Sequence, residues 1–220
     1  MNKLSFYWYK RKYKESRTDM GLLLDVKVNG ISSLSEARYA AGMGVKWLGF
    51  AFSGEKAQTL EQFQGIMGWL AGVDPIIEVE HLDVATQEIL SESWEVPFIQ
   101  FKSVDKDLIK APSVEWIHSI QVDDLSQLET LISTQISSQA DCVLVDAISC
   151  NDWTEYASVI AALSQEKSII WQFPFDETNV SKLLQSKYGI QCIALNSGVE
   201  DRPGWQDLDD IMYILEALED

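Results

Sequence analysis

Two short runs in this 220-residue chain carry residue types suited to proton transfer. In LLLDVKVN (22–29), Leu24, Val26 and Val28 alternate with Asp25, Lys27 and Asn29. A period of two puts the polar set on one face of a strand and the apolar set on the other. In CVLVDA (142–147), Val143 and Val145 share a face, and Asp146 ends the strand on the opposite one. A carboxylic acid there can serve as a general acid, and a lysine whose pKa is lowered by burial can serve as a base. Asp146 and Lys27 together would suit chemistry on an uncharged sugar or amine. Glu78, Glu80, Gln100, Lys102, His118, Gln172 and Asn196 are further candidates for an interior or its rim. For all of these except Asp146 the competing account is structural: a solvated ion-pair network filling a barrel, with Lys27 neutralising a neighbouring carboxylate.

A third run, LNSGVEDRPGW (195–205), joins a β-type segment to a helical one. A small-residue hinge of this kind can turn backbone N–H groups toward an anion such as phosphate. Gly198 and Gly204 can equally be there only to permit positive φ.

The elements that must position these residues recur along the chain. Strand-like runs at 22–28, 47–52, 75–80, 97–101, 114–120, 142–147, 168–173 and 192–196 alternate with amphipathic stretches of period near 3.6, LSEARYAAGMG and WTEYASVIAALSQ among them. Ser32, Ser33, Thr59, Asp124 and Asn151 are suitable N-caps. Eight strands, each followed by a helix, predict a single (β/α)8 TIM barrel over 21–220, preceded by a basic, aromatic extension over 1–20. A doubly wound open sheet would use fewer strands. Barrel active sites lie at the C-terminal strand ends, where Asn29, Asp146 and Asn196 fall.

Composition narrows the possible partners. The chain is 46% hydrophobic with a net charge of −17. Residues 1–20 hold six Lys/Arg against two Asp/Glu, and the remainder 11 against 32, giving +4 and −21. So acidic a body repels nucleic acid and slows capture of a multiply charged phosphate ester unless a local pocket compensates. The arm KLSFYWYKRKYK could address a membrane surface or RNA, or dock its aromatics on the domain itself. No apolar run is long enough to span a bilayer and no n-region followed by an h-region marks a signal peptide, so no membrane partner is expected, and the acidic body leads to the same expectation for nucleic acid. Three scattered cysteines without a C-x-x-C pair predict a reduced, cytoplasmic setting and no zinc site.

DVKVNGISSLSEARYAAGMGVKWLGFAF resembles the opening of phosphoribosylanthranilate isomerase, with its V-K-I-C-G-I/L-T strand and later G-F-I-F. NSGVEDRPGWQDLDDI is similar to that family's S-S-G-V-E-x-x-P-G-x-K-D ending. PFIQF and LVDA match two intervening strands, so the likeness runs over about residues 22–218. It implies the Amadori rearrangement of a phosphorylated aminoribose, an aldose–ketose isomerisation in tryptophan biosynthesis. An Asp acts as acid and a Cys thiolate as base, without metal or cofactor. A phosphosugar is then the expected ligand if the protein is active, on a monomer or homodimer.

Carried over residue by residue, the pattern is incomplete. Asp146 falls on the family's acid, but Asn29 falls on its Cys, and a carboxamide cannot take a proton at physiological pH. The loop holding a family Arg is here SGEKAQTL, with Lys56 the nearest cation, and Lys lacks the bidentate fork. The glycine-rich loop after the acid is absent, and the family's L-A-G-G-L is replaced by Trp171-Gln172-Phe173-Pro174-Phe175. Asn196, Ser197 and Gly198 retain half of a phosphate cradle ahead of an expected short helix. The resemblance therefore implies an isomerase-like protein with activity lost or much reduced. The alternatives are an enzyme on a different small sugar or amine using Asp146 and Lys27, or a non-catalytic binding protein with its mouth plugged by Trp171, Phe173 and Phe175.

Overall fold

Eight parallel strands, paired in chain order, close a barrel: β1 (Asp25–Asn29), β2 (Trp47–Ala51), β3 (Asp74–Leu82), β4 (Phe98–Val104), β5 (Glu115–Gln121), β6 (Cys142–Asp146), β7 (Ser168–Gln172) and β8 (Cys192–Asn196). These come from a computed structural model, which describes residues 21–54, 57–149, 152–186, 188–198, 200–202, 205–206 and 208–219. The basic arm 1–20, Lys56, Cys150, Asn151 and Gly204 lie outside the described residues. β1 closes the ring against β8 in a register that sets Lys27 beside Ala194 and Asn29 beside Asn196.

The alternation seen in the sequence sorts the core into two shells. Val26, Val28, Leu48, Phe50, Ile77, Ile99, Val143 and Val145 point outward and pack with helix residues such as Ala37, Phe63, Ile160 and Leu183. Trp47, Ile76, Phe98, Ile117, Leu144, Ile170 and Ala194, with Cys142 and Cys192, fill the barrel itself as an apolar floor. Each fully buried large side chain is worth about 1.5–3 kcal/mol. A one-residue slip would exchange the two faces of a strand, so burial fixes the register. Below the floor Lys46 bonds Asp25 at 2.7 Å and lies 4.2 Å from the centre of the Trp47 ring.

The surrounding helices are α1 (Leu34–Gly42), α2 (Leu60–Met67), α3 (Val84–Glu88, continued by a π-helical turn, Ile89–Ser93), α4 (Leu125–Ile132), α5 (Gln135–Gln139), α6 (Trp153–Leu163), α7 (Glu177–Gln185) and α8 (Asp209–Ala217). Ser33 and Thr59 cap α1 and α2 as expected, Thr59 in a reciprocal capping box with Gln62. The Asp124 carboxylate accepts from Ser126 N–H at the start of α4. Asp152 caps α6, one residue beyond the expected Asn151. Ser33 rather than Ser32 holds the N-cap position of α1, and the Ser32 N–H donates to the Glu36 carboxylate at 3.1 Å.

Two features depart from the expected alternation. Residues 105–114 join β4 to β5 without a helix. Buried Gln87 of α3 holds this loop in place, donating to the Ile109 carbonyl and accepting from Ala111 N–H and Trp116 Nε1–H. After β8 comes not a short helix but a small antiparallel hairpin, β9 (Glu200–Arg202) and β10 (Trp205–Gln206). Among the described residues no helix is long and apolar enough to cross a membrane.

Candidate active site

At the C-terminal strand ends the barrel opens into a cavity of about 210 Å³. β1, β7 and β8 contribute Asn29, Gln172 and Asn196, and β6 contributes Asp146. On the other side stand Glu78, Glu80, Gln100 and Lys102 from β3 and β4, with Ser119 from β5. Ala51 and Ser53 complete the wall at the end of β2. Barrel closure therefore brings together Asn29 and Asp146, separated in sequence by more than a hundred residues.

Beneath the cavity Lys27 is fully buried, and its ammonium donates to Glu78 Oε1 at 2.5 Å and to Asn29 Oδ1. Room for this pair exists because β2 carries Gly49 there. A Cβ at Gly49 would lie 1.9 Å from Glu78 Oε1 and 2.9 Å from Lys27 Nζ. The bond from Lys27 orients the Asn29 carboxamide, whose Nδ2 then donates to Asn196 Oδ1 at 3.3 Å. Gln172 Nε2 donates to the same Asn196 oxygen at 3.0 Å. Asn29 is thus a hydrogen-bonding spacer between an ion pair and a carboxamide cluster.

Asp146 lies across the mouth, three strands round from β1 by way of β8 and β7. Burial raises its pKa, partly offset by the Ile148 N–H that its Oδ1 accepts at 3.2 Å and by the positive charge of Lys102. A carboxyl raised in this way keeps its proton closer to neutral pH and suits a general acid. Lys102 pairs with Glu80 at 2.9 Å on the exposed rim. The cysteines of the floor do not supply a base. Burial pushes Cys142 up to about 12 and Cys192 well above the ordinary thiol value, so both stay protonated at neutral pH.

The candidate anion cradle is occupied by the protein's own groups. Gly198 N–H donates to Glu36 Oε1 at 3.2 Å, while Ser32 N–H donates to Glu36 Oε2. Ser197 N–H donates to the Asn29 carbonyl at 2.8 Å, and the Ser197 hydroxyl to the Gly30 carbonyl at 2.8 Å. Facing it, Phe175 N–H donates to the Phe173 carbonyl at 2.7 Å, and Pro174 has no N–H.

Three expectations about orientation need correction. His118 points outward, stacked on Phe101 with ring centres 5.6 Å apart and bonded to Ser137 at 2.8 Å. The register of β5 faces Ile117 and Ser119 inward, so Ser119 is the polar group that β5 gives the mouth. Trp171, Phe173 and Phe175 do not plug the mouth. They pack on one another in the outer shell with ring centres 5.4–5.7 Å apart. Lys27 lies beneath the cavity rather than among the residues that line it. The sequence also concealed His81, which bridges Ser103 at 2.9 Å and Asp105 at 3.1 Å where β3 and β4 run past their expected ends.

No protein-family model matches this chain, and no curated protein does so either. Solved structures do. Phosphoribosylanthranilate isomerase from Thermotoga maritima superposes with a TM-score of 0.70 at 17% identity, covering 89% of this chain and 98% of its own. N-(5'-phosphoribosyl)anthranilate isomerase from Pyrococcus furiosus gives 0.69 at 18% identity with the same coverage. A phosphoribosyl anthranilate isomerase in complex with reduced 1-(o-carboxyphenylamino)-1-deoxyribulose 5-phosphate gives 0.69 at 18% identity, again covering 89% and 98%. The chain has the (β/α)8 fold of the phosphoribosylanthranilate isomerases along almost their whole length.

Proposed function

We propose that this chain is a divergent member of the phosphoribosylanthranilate isomerase family in which the Amadori rearrangement is lost or much reduced. The observation that carries this reading is Asn29. It stands where the sequence resemblance puts the family's base, across the mouth from Asp146, and its carboxamide is bonded to Lys27 and Asn196. A carboxamide has no basic lone pair to accept the C2′ proton. Lys27 does not substitute, because it is fully buried beneath the cavity, is not among its lining residues, and donates to Glu78 and Asn29. The acid half of the chemistry is kept in Asp146 and the base half is missing.

The test is complementation of a tryptophan auxotroph lacking this isomerase. Expression of the full chain should not restore growth without tryptophan. Growth at the rate given by a working isomerase would overturn the reading.

A second reading, binding of a small molecule without this chemistry, is favoured by one observation: the mouth is open and lined by polar groups.

A further inference from the structure

We propose that the barrel mouth binds an unphosphorylated, hydroxyl-rich small molecule carrying a primary amine, with the ammonium on Asp146. This rests on the reading above, in which the mouth is a family site that has given up its phosphorylated substrate.

Charge is the first support. Among the described residues the two ammonium groups near the mouth are committed, Lys27 to Glu78 at 2.5 Å and Lys102 to Glu80 at 2.9 Å. Asp146 is the third carboxylate and has no ion-pair partner among the described residues, accepting only the Ile148 N–H. Asp146 is therefore left without an ion pair among the described residues, inside a chain of net charge −17, and a phosphate ester entering here would meet that carboxylate.

The backbone gives the same answer. The N–H groups of Ser197, Gly198 and Phe175 already donate to Asn29, Glu36 and Phe173. Glu36, only 2% exposed, occupies the Gly198 amide with its own carboxyl oxygen, so that N–H is not free for a second anion. Among the described residues no helix N-terminus follows β8 directly to compensate.

Unmet polar groups supply the third support and specify the rest of the ligand. Ser119 is largely buried and lines the cavity. On the neighbouring strand Gln100, which also lines it, has a buried Oε1 without a partner among the described residues. Buried polar groups of this kind are costly unless a hydrogen-bonding partner reaches them. Carbohydrate-like hydroxyls, which both donate and accept, match Ser119, Gln100 and the Asn29–Asn196 pair across the cavity.

Isothermal titration of the full chain with 1-amino-1-deoxyribitol, ribitol and ribitol 5-phosphate tests this at moderate salt. The amine should bind most tightly and the phosphate most weakly. Asp146→Asn should weaken amine binding roughly ten- to a hundredfold, the usual worth of a charged hydrogen bond, and ribitol binding by less. Ser119→Ala should weaken both. Phosphate binding equal to or tighter than that of the amine overturns the proposal, as does absence of amine binding by wild-type protein. If no amine binds and phosphoribosylanthranilate is not isomerised, this inference alone fails. If phosphoribosylanthranilate is isomerised at enzyme rates, the loss-of-activity reading fails with it.

Discussion

A methyl group at Gly49 would overlap the Glu78 carboxylate and crowd the Lys27 ammonium. Because Lys27 is fully buried, it depends on that carboxylate for neutralisation, and a buried charge deprived of its partner is costly. Gly49→Ala should therefore lower unfolding free energy by about 1–3 kcal/mol, with Glu78 swinging aside to relieve the overlap. Urea denaturation checks this, and unchanged stability would mean that the pair is not a constraint. Asp74, at the start of β3, makes a different prediction. Burial raises its carboxyl to about 6, from an ordinary 3.8. A raised acid contributes stability while protonated, fully present below about 4 and lost as pH rises through about 6. Asp74→Asn should match wild type at pH 4 and exceed it at pH 7.5, by about 1 kcal/mol after allowance for solvent screening. Equal melting curves at both pH values would contradict the assignment.

At the scale of elements, Glu36 of α1 ties the β1–α1 loop to the β8 exit by accepting from Ser32 and Gly198 N–H groups. Glu36→Ala orphans both amides and should cost about 2 kcal/mol or more, while Glu36→Gln, which keeps one acceptor, should cost less. Hydrogen exchange at the Gly198 amide should accelerate in the order wild type, Gln, Ala; an unchanged rate would show that this tie is not formed. Eight strands were legible in the sequence because apolar alternation and strand burial are the same fact seen twice. Lys27, Asn29 and Asp146 could be read for the same reason. His118 was misread because residue type was allowed to outrank register: in WIHSI the inward positions belong to Ile117 and Ser119, and a serine gives little signal. The rim cluster of His81, Ser103 and Asp105 was hidden because β3 and β4 continue with polar residues, where alternation no longer marks a buried face. The Glu36–Gly198 contact joins residues 162 positions apart and follows only from barrel closure. Nothing in the local sequence encodes it.

For the whole molecule, the barrel has the fold of the phosphoribosylanthranilate isomerases, and the proposed loss of the rearrangement rests on what lines its mouth. General-base assistance is typically worth about 10²–10⁴ in rate. Phosphate anchoring normally helps to hold the reacting carbon in place, so a cradle filled by Glu36 and a turn closed between Phe173 and Phe175 work in the same direction as the missing base. Asn29→Cys should for this reason fail to restore activity. The most direct test of the central claim is steady-state turnover of phosphoribosylanthranilate by the purified full chain, with Asp146→Asn measured beside it. The predicted result is a kcat/KM at least about a thousandfold below ordinary enzyme values of roughly 10⁴–10⁸ M⁻¹s⁻¹. Turnover within that range, abolished by Asp146→Asn, would contradict the account and require a base at this mouth other than Asn29.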